Sequence, residues 1–246
     1  MLLETQNLSL AFGGVHAVDE VTLNVPAGQI RALIGPNGAG KTTFFNILSG
    51  LLKPDAGTVL FDGTDITRLK PRDIVRLGLV RTFQISSVFL SMTVFENVQI
   101  ACQASSHLVR AIFSGKTRHA IAERADAILD TLSIGSLRDV KSSELSYGDQ
   151  RALEIAIALS LRPKLLLLDE PTAGMSPSET LRISKLIESL KSEVGIVIIE
   201  HDMEMIMRIS NRISVFNRGK LIVEGLPSEI RNDPTVRQIY LGTTAC

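Results

Sequence analysis

The run Gly35-Pro36-Asn37-Gly38-Ala39-Gly40-Lys41-Thr42-Thr43 constrains this chain more than any other stretch of it. It matches G-x-x-x-x-G-K-[ST], follows the apolar segment Ile30–Ile34, and opens into Thr43–Leu48, which reads as a helix ending near Gly50. A strand that turns through glycines into a helix brings a row of backbone N–H groups, and the positive end of the helix dipole, around one anion. Glycine keeps that approach open because no Cβ intrudes. Residues Gly35, Pro36, Asn37, Gly38, Ala39, Gly40 and Thr43 are therefore expected to cradle phosphate. Lys41 should reach the β- and γ-phosphates of a nucleotide such as ATP, and the Thr42 hydroxyl should ligate Mg²⁺.

A second half of such a site lies downstream. Leu165–Leu168 is a short apolar run followed by Asp169-Glu170. Alone, an apolar run closed by two carboxylates is an ordinary strand end, because such groups are common on surfaces. Beside a P-loop it takes on chemical sense. Asp169 is placed to hold the metal, directly or through water, and Glu170 to accept a proton from the attacking water.

The rest of the chain arranges itself around these motifs. Leu8–Phe12, Val21–Val25 and Gln29–Ile34 carry strand patterning, separated by Gly13-Gly14 and Pro26-Ala27-Gly28; Thr58–Phe61 adds a strand closed by Asp62-Gly63. From about Ser86 to Leu161 the pattern turns helical, and Ile121, Ala125, Ile128 and Leu132 fall on one helix face. Leu165–Leu168 and Ile196–Ile199 read as central parallel strands, apolar throughout. Between them Ser176, Pro177 and Glu179 form an N-cap, a first-turn proline and a capping-box glutamate. The expectation is an α/β P-loop core interrupted by a helical lobe.

Composition excludes some functions. The 246 residues suit one sizeable domain, and 26 basic against 26 acidic residues give no global positive field to gather nucleic acid. No stretch approaches the ~20 apolar residues needed to span a bilayer. The richest, Ala152–Leu168, is broken by Glu154, Arg162, Pro163 and Lys164. The N-terminus lacks the pattern of a secretory signal. Cys102 and Cys246 have no metal-ligand spacing and are expected to be free thiols.

Five further features make the chain resemble the ABC ATPase family over nearly its whole length. Leu145-Ser146-Tyr147-Gly148-Asp149-Gln150 is similar to the family signature, Gln84 in Arg81-Thr82-Phe83-Gln84 to the Q-loop glutamine, and His201 to the switch histidine. Phe12 stands where the family has an aromatic residue stacking on adenine, and Ala173-Gly174-Met175-Ser176 corresponds to the D-loop. The resemblance implies a core of residues 1–85 and 162–246 carrying an antiparallel β subdomain, with an inserted helical subdomain at 86–161. It implies Glu170, His201 and Gln84 in catalysis, Thr42, Gln84 and Asp169 around Mg²⁺, and Phe12, Ser146 and Gly148 on ATP. Because the signature forms a second anion site at a helix start, it implies ATP held between two subunits. Two departures stand out. The signature reads LSYGD rather than LSGGQ, and Ser176 replaces the usual D-loop aspartate.

The segments RTFQ, Met92–Val98, Leu168–Met175 and Pro227–Gly242 are similar to the LivG-type proteins of branched-chain amino acid importers. That resemblance implies a heterodimer with a LivF-like ATPase, or a homodimer in isolation. It also implies two membrane permeases and, indirectly, a periplasmic solute-binding protein, with the chain peripheral on the cytoplasmic face of the inner membrane. Importers of urea or short amides are the alternative cargo systems. A soluble ABC ATPase acting on nucleic acid or ribosomes is the alternative of another class, set against the missing basic footprint; a scaffold without hydrolysis is a third, set against Glu170 and His201.

Overall fold

The computed structural model describes residues 1–82, 88–105 and 115–241. In chain order, β1 is Leu3–Phe12, β2 Val15–Val25, β3 Ile30–Ile34, α1 Lys41–Leu48, β4 Ala56–Phe61 and β5 Thr64–Asp65. Then come α2 at Pro71–Leu77, β6 at Leu79–Arg81, α3 at Val94–Ser105, α4 at Gly115–Thr131 and α5 at Tyr147–Ser160. The last third holds β7 (Leu165–Asp169), α6 (Pro177–Ser189), β8 (Gly195–Ile199), α7 (Met203–Ile209), β9 (Arg212–Asn217), β10 (Lys220–Gly225), α8 (Pro227–Asn232) and α9 (Pro234–Leu241). Packing divides these residues into two compact units, one of Met1–Arg81, Lys164–Glu170 and Ile187–Cys246, the other of Thr82–Pro163 and Pro171–Leu186.

The first unit contains two sheets. One is antiparallel, in the order β2-β1-β4-β5. Its strands alternate buried and exposed positions, as a sheet with one wet face must. The β1–β2 turn is Gly13-Gly14, both at positive φ, which matches the right-handed twist of a hairpin. Both strands run longer than their sequence pattern suggested, because the polar residues of the open face hide the period. The second sheet has the order β10-β9-β3-β8-β7-β6. β3, β7 and β8 are buried at every residue, and the pairs β3–β8, β3–β9, β7–β8 and β6–β7 are parallel.

Register decides where these strands stop. Leu33 and Asp169 both pair with Ile199, so β3, β7 and β8 end within a residue of one level, while β6 stops two residues earlier with Arg81 beside Leu167. The crevice beyond the carboxyl ends of such strands is where an open α/β sheet takes its ligand.

One residue of the apolar strand β3 is charged. Arg31 is 2 % exposed, yet its guanidinium meets Glu224 Oε2 at 2.8 Å, donates to the Asn24 carbonyl at 2.9 Å and reaches Ser214 Oγ at 3.3 Å. One buried cation thus joins β2, β3, β9 and β10.

In the second unit α3, α4 and α5 pack on one another. The buried face of α4 is Ile121, Ala125, Leu129 and Leu132, so Ile128 sits at its edge rather than within it. Within this mostly helical stretch Thr93 and Lys141 form a β-bridge and Ser142–Glu144 is a 3-10 turn. Cys102 is a buried free thiol on α3, while Cys246 lies outside the described residues. Among the described residues no helix is long and apolar enough to cross a membrane.

Replacing Arg31 by Met leaves Glu224 only the partly exposed Arg212 and the Ser214 hydroxyl as partners. Unfolding in urea should show a loss of about 2–4 kcal/mol, below the full range for a buried pair because Glu224 is partly wet.

Candidate nucleotide site

The loop after β3 is shaped by backbone proximity as much as by phosphate. A Cβ added at Gly35 would lie 2.1 Å from the Phe216 carbonyl oxygen, and one at Gly40 the same distance from that of Ala17. Only Gly38 faces open space. The flanking glycines thus let the loop lie flush against neighbouring backbone, and the middle one meets a positive-φ demand with no protein atom beside it.

Lys41 opens α1 and folds back over the loop. Its Nζ donates to the Gly35 carbonyl at 2.6 Å and to that of Pro36 at 3.0 Å. Burial lowers its pKa below the usual lysine value, while the nearby carboxylates of Glu170 and Asp169 pull it back up. The ammonium therefore rests on two carbonyl oxygens with two carboxylates close by.

At the end of β7, Asp169 is buried and meets the Arg81 guanidinium at 2.7 Å. Arg81 also donates to Asn46 Oδ1 at 2.6 Å and lies over the Phe45 ring. Reading the sequence missed this partner: Arg81 was noted only as part of RTFQ, and nothing local signals that β6 pairs with β7.

Glu170 takes a left-handed backbone conformation with φ 46°, costly for a side chain other than glycine. Its N–H still donates to the Ile199 carbonyl at 2.9 Å. The kink turns the carboxylate off the strand line, and Glu170 Oε1 stands 3.0 Å from His201 Nε2. Glu200, a buried carboxylate, accepts the backbone N–H of His201 at 2.8 Å and so fixes the main chain there. Asp202 then caps α7 by accepting the Met205 N–H. Glu200 is a second residue missed in the sequence, where it passed for a polar strand flank.

One cleft is lined by Asn37 to Thr43, Ala17, Glu170 and His201. That cleft gathers the P-loop, Glu170 and the histidine, while Asp169 does not line it but lies near enough to Lys41 to act on its charge. Phe12 is exposed beside the Gly13-Gly14 turn and does not line that cleft. Gln84 lies outside the described residues.

Ser146 and Gly148 belong to the second unit. Ser146 caps α5, accepting the Asp149 N–H at 3.2 Å and donating its hydroxyl to Asp149 Oδ2 at 2.6 Å. Gly148 sits inside the first turn of α5 rather than ahead of it. Its N–H donates to Glu179, whose carboxyl is held below the usual range chiefly by the Ser176 hydroxyl and N–H. Arg182 pairs with Asp149 at 2.7 Å. Ser176 and Glu179 form the capping box expected at α6, Ser176 N–H donating to Glu179 at 3.0 Å and Glu179 N–H to Ser176 Oγ at 3.4 Å.

The ABC transporter family model matches residues 18–173, and a second, described as a branched-chain amino acid ATP-binding cassette transporter, matches residues 220–245. The chain is 41 % identical to the high-affinity branched-chain amino acid transport ATP-binding protein LivG of Escherichia coli, over 98 % of each. Among solved structures it is similar to an ATP-binding cassette of an ABC transporter in its ADP conformation, with TM-score 0.85, 34 % identity and 98 % of both chains covered. A dimeric ATP-binding cassette in a post-hydrolysis state bound to ADP and Pi matches with TM-score 0.76 and 25 % identity, over 92 % of this chain and 98 % of that one.

The glycines separate by experiment. Gly40→Ala meets a carbonyl and adds overpacking of about 1–3 kcal/mol to backbone strain, whereas Gly38→Ala bears only the strain, about 1–2 kcal/mol. Thermal unfolding midpoints should rank wild type, Gly38→Ala and Gly40→Ala in descending order.

Proposed function

The chain belongs to the ATP-binding proteins of ABC transporters, of the LivG type, and from that premise we propose that it is the ATP-hydrolysing motor subunit of a branched-chain amino acid importer. The observation that carries the mechanism is the 3.0 Å contact between Glu170 and His201 at the mouth of the P-loop cleft.

The P-loop N–H groups and Lys41 bind the triphosphate, Lys41 leaving the Gly35 and Pro36 carbonyls to do so. Phe12 offers an exposed ring for the adenine. Thr42 and Asp169 supply the hydroxyl and carboxylate oxygens that a hard cation takes, and Gln84 completes the set in the family pattern. Bound there, Mg²⁺ would neutralise charge building on the phosphates. Glu170 accepts the proton of the attacking water. His201 holds that carboxylate in place and lies next to the transferring phosphate, while Arg81 keeps Asp169 from facing the site as an unbalanced buried charge.

The two anion sites of one chain are explained by a dimer in which the Ser146 and Gly148 donors meet the nucleotide of the other subunit. That partner is a LivF-like ATPase, and the pair docks on membrane permeases at the cytoplasmic face of the inner membrane, with a periplasmic solute-binding protein delivering the cargo. ATP closes the dimer, and hydrolysis reopens it.

Glu170→Gln should bind ATP as wild type does and hydrolyse it ~10²–10⁴-fold more slowly, read by single-turnover assay. Near-normal turnover would remove Glu170 from the base role. In that slow background, adding Ser146→Ala should abolish the ATP-dependent dimer seen by light scattering while leaving the monomer's ATP affinity intact.

A further inference from the structure

We propose that Tyr240, on the C-terminal helix α9, is a positioning residue of the nucleotide site, its hydroxyl holding the first residue of the P-loop. The inference rests on the ATPase reading above and extends it to a segment that none of the P-loop, signature or switch motifs includes.

The Gly35 N–H donates to the Tyr240 hydroxyl. The same residue's carbonyl accepts Lys41 Nζ at 2.6 Å, and its α-carbon side is pressed against the Phe216 carbonyl. Gly35 is therefore held from three directions, and Tyr240 supplies the one that comes from outside the P-loop core. Burial pushes the phenol up to about 12, so it stays neutral at any physiological pH.

Helix α9 is anchored for this role. Asp233 accepts the N–H groups of Thr235 and Val236 at 2.7 and 3.0 Å, and Val236 is buried. Thr235, Gln238 and Ile239 then line one cleft together with Pro36, Asn37 and Gly38 on the outer side of the P-loop. On its other side Tyr240 shares an apolar groove with Met203 and Met207 of α7, the helix that starts just after His201. One side chain thus stands between the residue that begins the phosphate loop and the helix that follows the histidine. Movement of either during nucleotide binding would be felt at the phenol.

Tyr240→Phe keeps the ring and removes only the hydroxyl, leaving the Gly35 N–H without its acceptor. The expected result is a KM for ATP, and a Kd for MgADP, raised roughly 3–10-fold, with kcat at saturating ATP within about twofold of wild type. The chain has two tyrosines and no tryptophan, so Tyr147→Phe leaves Tyr240 as its only strong intrinsic fluorophore. Its emission should change on titration with MgADP, at concentrations that match the binding curve. A purely structural anchor would lower the melting temperature of Tyr240→Phe and move neither KM nor emission; that outcome overturns the inference, as does nucleotide affinity equal to wild type. A wild-type chain that binds no ATP at all would instead overturn the motor reading itself.

Discussion

Parallel strands that stop at a common level are the constraint on which the site depends. β3, β7 and β8 are buried on both faces, and the charged Arg31 and Asp169, each held by a fixed partner, mark a register that the uniformly apolar positions would not. Pairing Leu33 and Asp169 with the same Ile199 brings the P-loop, Asp169-Glu170 and Glu200-His201 out of the sheet side by side. A shift of one residue in β7 would turn Asp169 to the opposite face and carry Glu170 away from His201. Nothing in the loops could restore the geometry.

Charge is placed inside this apolar frame only where it is balanced. Arg31 and Glu224 tie strands across the sheet, and Arg81 meets Asp169 where the site begins. A lone carboxylate at the depth of Asp169 would be costly to keep ionised. The Arg81 pair balances that buried carboxylate and ties β6 to the end of β7.

The signature helix shows the converse arrangement. The Ser146 hydroxyl and Gly148 N–H are engaged with Asp149 and Glu179, carboxylates of the same chain, and Arg182 balances Asp149. These groups are anion donors resting on internal anions, as Lys41 rests on internal carbonyls. The change from LSGGQ to LSYGD acquires a physical meaning here, because an aspartate at position 149 is what engages both Ser146 and Arg182.

The residues alone determined the P-loop, the strand ends at Asp169 and Ile199, the caps at Ser146 and Ser176 and the glycine hairpin. Each of these is local, and the energy that selects it acts over a few neighbouring residues. The polar open face of β1 and β2 blurred their true extent, and α7, α8 and α9, of seven, six and eight residues, are too short to show a period. Partners far apart in the chain were beyond local patterns: Arg81 with Asp169, Arg31 with Glu224, Gly35 with Phe216 and Tyr240. Only the tertiary structure decided those, since strand order and register bring together groups whose attraction depends on distance and burial rather than on position in the sequence.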